Sequence, residues 1–291
     1  SYLVMGLSDK YKENLWVIAD GERKDRLAKN GLNINDKVYS LHVKTPAEAH
    51  GVDLLFVCTK YTQLRDSLPD IETITGEHTM VVSLLNGVDS EELIGQRIGM
   101  EHMIYSLIRI ASHRIGNSIH FSLPKGYNGI YIGIPNQPAC QDPRLAAIAE
   151  IFADTPVTLH LSDDILLDMW DKFGLNVSRN LPQAILGVGI GVYDDSIYAD
   201  AIMRRMRHEV VLVANAKGIP LTDEFKAAKW LPSQRYSTLQ YLDAHRHTEI
   251  DMFSGALIRM GKEVGVECPY NEMTYNLIKA LEEKNDGKFD Y

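Results

Sequence analysis

Apolar and polar positions alternate with one rhythm in the first half of the chain and another in the second. "VDLLFVCT" (52–59) and "TMVVSLLN" (79–86) are apolar at nearly every position, as expected for strands covered on both faces of a parallel sheet. "NLWVIAD" (14–20) is a similar run of strand formers, and the opening "SYLVMG" (1–6) reads as a further strand. Between these runs lie helix-compatible stretches: "GERKDRLAKNG", which stops on Gly31, then "AEAHG", "YTQLRDSL" and "SEELIGQRIG". Such β–α alternation predicts a doubly wound parallel sheet of α/β class. From about residue 103 to 161 the pattern gives shorter strands at "NSIHFSL", "GIYIGI" and "VTLHLS", with one helix at "DPRLAAIAEIFAD". After Ser162 the strand signal stops. "DDILLDMWDKFGLNVSRNL", "SIYADAIMRRMRHEVVLVANAKG" and "HTEIDMFSGALIRMGKEVG" carry helical periodicity, and the last two close on Lys and Gly stop signals. Two domains are therefore expected, an α/β domain over 1–161 and a mostly α-helical domain over 162–291. The charged tail "EEKNDGKFDY" is expected to fray.

Composition narrows the partners. The 291 residues are about twice a usual domain length, and a net charge of −9 disfavours nucleic acid, which needs a basic surface. A small anionic ligand is still compatible, provided local positive charge meets it. No apolar run approaches the ~18–20 residues of a membrane span, and no basic-then-apolar leader opens the sequence. Cys58, Cys140 and Cys268 are odd in number and far apart. Neither a disulfide framework nor a CxxC pair is present, so a reducing, cytoplasmic setting is the simplest expectation.

Within the helical half, "DKFGLNVSRN" places Lys172, Asn176 and Asn180 four residues apart, on one stripe of an otherwise apolar helix. A single helix lysine is usually a snorkelling surface residue. Two carboxamides in register with it change the reading, because amides favour caps and turns over helix interiors and ask for a polar partner. A 2-keto acid supplies one: its carboxylate accepts from amide N–H groups, while an ammonium beside the keto oxygen stabilises and then protonates an alkoxide. In the first half, Lys60 and Asn86 each follow the carboxyl end of a buried strand, where ligands bind in open parallel sheets. Other features read as structural. "GVGIGV" (187–192) follows a helix, not a strand, and is expected to be an inter-helix loop. "RRMRHE" (204–209) reads as a solvated helix face, and His245 and His247 lack a nearby third metal ligand.

Taken together and in order, "VCTKYTQL" (57–64), "SLLNGVDSEE" (83–92), the Lys172–Asn176–Asn180 stripe and "TEIDMFSGAL" (248–257) resemble the ketopantoate reductase (2-dehydropantoate 2-reductase) family. The resemblance runs from about residue 15 to 280. It implies a Rossmann-type domain followed by a helical one, and NADPH-dependent reduction of 2-dehydropantoate to pantoate on the way to pantothenate and coenzyme A. It also implies roles by position. Lys172 would be the general acid, and Asn176, Asn180 and Ser237 would hold substrate. Glu249 would contact the cofactor and act as the electrostatic partner of Lys172. Lys60 would bind cofactor, and Asn86 would touch cofactor and substrate both. A further substrate-binding asparagine of the family, some ten residues after Asn180, has no counterpart in "GVGIGVYDD".

The dinucleotide fingerprint is the weak point of the match. Strand, GxGxxG and helix should open such a domain, yet only eight residues separate Gly6 from Leu15, too few for a parallel crossover. Gly6 resembles the first fingerprint glycine, so the expectation is a gap between Gly6 and Leu7 that hides a phosphate loop. If instead the two are directly joined, a catalytically silent NAD(P)-sensing protein gains ground. Asp20, where the next strand ends, favours the ribose hydroxyls of NADH; Arg23 and Lys24 just beyond favour a 2′-phosphate. NADPH is the expected cofactor, with NADH not excluded, and no metal is expected. A related reductase of another small 2-keto or 3-hydroxy acid is the alternative activity. A homodimer is allowed by, but not read from, the sequence.

Overall fold

The structure, a computed structural model, describes residues 1–225 and 231–291. Its residues fall into two compact units, one of Ser1–Leu85 with Ser90–Ile165, the other of Asn86–Asp89 with Leu166–Tyr291. The short excursion 86–89 was not visible in the sequence pattern, and it places Asn86 with the helical unit.

The first unit runs α1 (Tyr2–Tyr11), β1 (Trp16–Ile18), α2 (Gly21–Asn30), β2 (Leu32–Ile34), β3 (Lys37–Tyr39), β4 (His42–Lys44), β5 (Leu54–Val57), α3 (Tyr61–Ile74), β6 (Met80–Ser83) and α4 (Ser90–Ile98). It continues with β7 (Met103–Arg109), β8 (Ser112–Ile115), β9 (Ser118–Phe121), β10 (Gly129–Gly133), α5 (Pro143–Phe152) and β11 (Leu159–Leu161). A five-stranded sheet has the order β11-β10-β7-β6-β5, parallel except for the β10–β7 pair. Alternate residues of its strands feed opposite faces, as a pleat requires. Phe56, Val82 and Ile104 join the core under α1 and α5, while Leu55, Val81 and Met103 join the one under α3 and α4. Both faces being covered, the strands read as continuous apolar runs. The chain thus has the Rossmann-like α/β class expected, followed by a helical part.

Two expectations at the amino end are overturned. "SYLVMG" is not a strand: it is the first half of helix α1, with Tyr2, Val4 and Leu7 buried. An apolar run this short does not fix a period, so strand and helix cannot be told apart from it. Gly6 is accordingly not a fingerprint glycine on a strand-to-helix turn. A Cβ there would lie 2.2 Å from Val157 Cγ2, so the glycine lets α1 approach the segment before β11. Gly6 and Leu7 are consecutive residues of one helix, with no gap between them. The parallel β1–β4 pair forms its own two-stranded sheet. Its Trp16 and Ile18 pack on the core beneath β5 without a strand hydrogen-bonding β1 to β5.

The second unit contains α6 (Ile165–Leu175, which starts at the boundary), a π-helical turn (Asn176–Asn180), α7 (Leu181–Leu186), α8 (Val192–Asp195), α9 (Ile197–Ala216), α10 (Ser237–Asp243), α11 (Ser254–Val264) and α12 (Pro269–Asn285). Three readings change here. The "TEID" segment is not helical, since α11 begins only at Ser254; the Thr248 hydroxyl accepts from Ile250 N (3.2 Å), a local turn that competes with helix. "RRMRHE" is not a solvated face, for Arg207 is 1% and Glu209 5% exposed. The tail does not fray from Glu282, because α12 continues to Asn285 and buries Glu282.

Candidate active site

The site is built on the run α6–π-turn–α7. Trp170, Phe173, Val177 and Leu181 are all buried and form the apolar stripe that seats this run. Lys172, Asn176 and Asn180 occupy a separate stripe. The wider π spacing stands immediately before Leu181-Pro182, where proline supplies no N–H to an α-type ladder. Single π-turns inside helices are recurrent at functional sites. The Arg179 carbonyl, inside the turn, accepts a hydrogen bond from the Tyr193 hydroxyl.

The turn brings the two carboxamides together, with Asn180 Nδ2 donating to Asn176 Oδ1 at 3.2 Å. Lys172 Nζ donates to Asn86 Oδ1 at 2.8 Å. Residues 86 residues apart in sequence thus meet through the 86–89 excursion. That excursion is fixed by its glycine and its aspartate. Gly87 has φ +97°, which an L side chain rarely adopts, and a Cβ there would lie 2.9 Å from Met252 Cγ. Asp89 pairs with Arg259 Nη2 at 3.4 Å.

Glu249 lies in the turn beside Met252, and that turn is tied down on both sides by α12. The buried Glu282 carboxylate accepts from Thr248 N (2.6 Å) and from Thr248 Oγ1 (2.7 Å). Asp251 accepts from the Tyr275 hydroxyl (2.7 Å) and pairs with Lys279 Nζ (2.9 Å), which also reaches Glu282 (3.3 Å). Burial pushes Asp251 upward, but the Tyr275 and Lys279 bonds outweigh it and hold the carboxyl below its ordinary range. Tyr275, Lys279 and Glu282 sit four and three apart on one helical stripe. The helix that carries them starts on Pro269, at its first turn, and runs to Asn285.

Ser237 is the first residue of α10, with Tyr236 rather than Ser237 at the cap position. The lead-in to it is anchored by buried Gln183, whose Nε2 donates to Gln234 O (2.7 Å) and whose Oε1 accepts from Tyr236 N (2.9 Å). "GVGIGV" lies between α7 and α8 and serves the same lead-in. Ile190 N and Gly191 N donate to Gln234 O and Pro232 O, and a Cβ at Gly189 would fall 2.2 Å from Pro232 O.

Other sequence candidates hold positions after strand ends. Lys60, in the first unit, and Asn86, in the second, each stand three residues beyond their strands, β5 and β6. Lys60 is the exposed residue at the start of α3. Asp20 caps α2, accepting from Gly21 N at 2.7 Å, with exposed Arg23 in the first turn. Lys24 is held by Glu48 at 2.6 Å. Hydrogen bonds from Lys24 and then Thr45 pull the Glu48 carboxyl down to about 2.

Comparison with known proteins agrees over nearly the whole length. Residues 1–137 match the family described as "Ketopantoate reductase PanE/ApbA", and residues 164–282 match "Ketopantoate reductase PanE/ApbA C terminal". A 2-dehydropantoate 2-reductase of Streptococcus pyogenes is 28% identical over 272 residues, covering 88% of this chain and 86% of that protein. One from Caulobacter vibrioides is 27% identical over 248 residues, 81% and 80% of the two chains. Among solved structures, a ketopantoate reductase of the same family from Ralstonia eutropha superposes with TM-score 0.75 at 22% identity, covering 95% and 93%. A D-mandelate dehydrogenase with NADH and anilino(oxo)acetate superposes with TM-score 0.77 at 24% identity, covering 92% and 91%. At these identities the structural likenesses speak to the fold.

Proposed function

The chain belongs to the ketopantoate reductase family, and from that premise we propose that it reduces a small 2-keto acid, 2-dehydropantoate by preference, with a nicotinamide cofactor. One observation carries the reading: Lys172 Nζ meets Asn86 Oδ1 at 2.8 Å, and the same helical run carries the bonded pair Asn176–Asn180. Both contacts use a carboxamide oxygen as acceptor, so the amide nitrogens of Asn86 and Asn176 are the groups turned toward a ligand. Ammonium and amide N–H groups together suit an acceptor-rich substrate, which a 2-keto acid is. In this role Lys172 stabilises the negative charge that grows on the keto oxygen and then gives that oxygen a proton. Asn176, Asn180 and Ser237 orient the acid, and Glu249 supplies a counter-charge to the ammonium.

A bound nicotinamide would supply the hydride. The first unit offers groups that fit a dinucleotide at its carboxyl edge. The first-turn N–H groups of α1 have no acceptor within the helix. Such N–H groups attract a pyrophosphate, and Asp20, Arg23 and Lys60 stand after the ends of β1 and β5. Asp20 is set to meet ribose hydroxyls. Arg23 is the cation for a 2′-phosphate, because Lys24 is engaged by Glu48. This supports NADPH without opposing NADH.

A second reading, a nucleotide-binding protein without turnover, is favoured by one feature: Gly6 and Leu7 are joined within one helix and do not flank a phosphate loop. Steady-state assays of NADPH and NADH oxidation against a panel of 2-keto acids separate the two. The reductase reading expects turnover with branched hydroxy-keto acids and a Lys172→Ala loss of roughly 10²–10⁴-fold in kcat. Dinucleotide binding with no turnover on any acid would establish the second reading instead.

A further inference from the structure

Next to Lys172 lies a buried ionic group that the proposed chemistry does not use. Arg207, in the middle of α9, is 1% exposed. Its Nη2 donates to Asp171 Oδ1 (3.2 Å) and to Thr222 O (2.9 Å), its Nη1 to Asp171 O (3.3 Å), and its Nε to Thr222 O (3.3 Å). Asp171 is itself buried, at 5%. Gly174 makes the room, since a Cβ there would lie 2.0 Å from Arg207 Nη1. The Phe225 ring lies 5.2 Å from the Arg207 guanidinium and 4.4 Å from that of Arg179, inside the π-turn.

None of these three residues is what stability alone would select. Glycine weakens a helix interior. A buried ion pair is generally matched or bettered by apolar side chains of the same volume. What the pair does provide is direction. Asp171 immediately precedes Lys172, and consecutive helical residues point about 100° apart. Arg207 grips both the carboxylate and the carbonyl of Asp171, so it fixes how α6 is rotated about its own axis. Lys172 is thereby aimed a fixed fraction of a turn away, where Asn86 receives it.

We infer that Arg207 is a positioning residue: through Asp171, and with Gly174 leaving space, it sets the rotation of α6 that directs the Lys172 ammonium. The inference rests on the reductase reading for its catalytic consequence, but not for its geometry. A rotation of ~10° moves a side-chain tip ~6 Å from the helix axis by ~1 Å. A displacement of that size can cost a reaction roughly 10²-fold.

The test uses the full chain with Arg207→Met, Asp171→Leu, the double variant, and Arg207→Lys. The double variant removes both charges together, so it leaves no unpaired buried ion. It is expected to keep the parent's urea midpoint or exceed it. Its kcat is expected to fall roughly 10–100-fold, with the dinucleotide KM within a few-fold. Arg207→Lys, which keeps the charge but not the forked contact, should recover part of the loss. Independently of turnover, acetylation of Lys172 by acetic anhydride, read by mass spectrometry against surface lysines, should change several-fold in the double variant. A folded double variant with parental kcat and parental Lys172 labelling overturns the inference. Should the parent chain reduce no keto acid, the reductase reading falls and the labelling result alone decides: changed labelling supports the positioning role, and unchanged labelling overturns it.

Discussion

Removing the Glu282 carboxylate tests whether α12 holds the turn that carries Glu249. The side chain is 2% exposed, so solvent screening does not discount its bonds. It accepts two short hydrogen bonds from Thr248, at 2.6 and 2.7 Å. A hydrogen bond to a charged group contributes ~1.5–3 kcal/mol, and an orphaned buried donor costs ~1–3 kcal/mol. The Lys279 contact is 35% exposed on the lysine side and adds little. Glu282→Leu should therefore lower the unfolding free energy by ~3–5 kcal/mol. At an m-value of ~2 kcal/mol/M, that moves the urea midpoint down by about 2 M. Glu282→Gln keeps a carbonyl oxygen for both Thr248 donors and should cost only ~1 kcal/mol. Urea unfolding followed by circular dichroism gives the midpoints, and amide exchange at Thr248 and Glu249 locates the change. If the Leu variant unfolds within ~0.3 M of the parent at an unchanged m-value, the carboxylate is not holding the turn.

Three other expectations follow from the same contacts. Asn176→Ala and Asn180→Ala should raise the keto-acid KM several-fold while dinucleotide affinity, measured by fluorescence titration, stays within a few-fold; loss of dinucleotide affinity instead would reverse the assignment of the stripe. Asp20→Ala should improve NADPH relative to NADH, and Glu48→Gln should do so too by releasing Lys24, as ratios of kcat/KM will show; unchanged ratios would remove α2 from the adenosine side. Asp251 has a folded pKa below its unfolded value of ~3.9, so its contribution is present above about pH 4 and is lost as pH falls through the folded value. Lys279 is shifted the other way: burial opposes its charge, but Asp251 and Glu282 raise it. Its contribution is thus full below ~10.4 and lost only as pH rises through the higher folded value. Urea midpoints of parent and Asp251→Asn should then separate above about pH 4–5 and converge as pH falls below the depressed folded value, and a gap independent of pH would count against the Asp251 linkage.

The parallel core was legible because both its faces are covered. Strands β5 and β6 read as unbroken apolar runs, and the helices between them carry polar faces that mark where each ends. The amino end was illegible for the opposite reason. The first half of α1 is apolar all round, packing through Tyr2, Val4 and Leu7 while Leu3 and Met5 also touch the core, so no face distinguishes helix from strand there. β7 escaped because "MIYSLIR" carries polar Ser106 within it, a residue that the structure buries and bonds to Ser83 O. A local pattern cannot anticipate a partner 23 residues away.

The residues proposed to face a ligand were easier to find than their supports, and the difference is physical. Lys172, Asn176 and Asn180 announce themselves because polar groups on an otherwise apolar helix need partners, which come from Asn86 for Lys172 and from within the run for the two asparagines. Arg207 gives the reverse impression: in "RRMRHE" it stands among charged neighbours and reads as solvated, yet helical periodicity turns it inward while Arg204 and His208 turn outward. Its partner, Asp171, is hidden in the same way beside Lys172. Sequence also invites the thought that "DKFGLNVSRN" holds one evenly spaced stripe, whereas the π-turn changes the spacing after Leu175. Within that turn Asn176 and Asn180 pair with each other, and Lys172 bonds Asn86. A purely α-helical segment would carry all three at the same pitch. Pro182 stands just past the turn and supplies no N–H to an α-type ladder, so the wider spacing falls where that ladder is already interrupted.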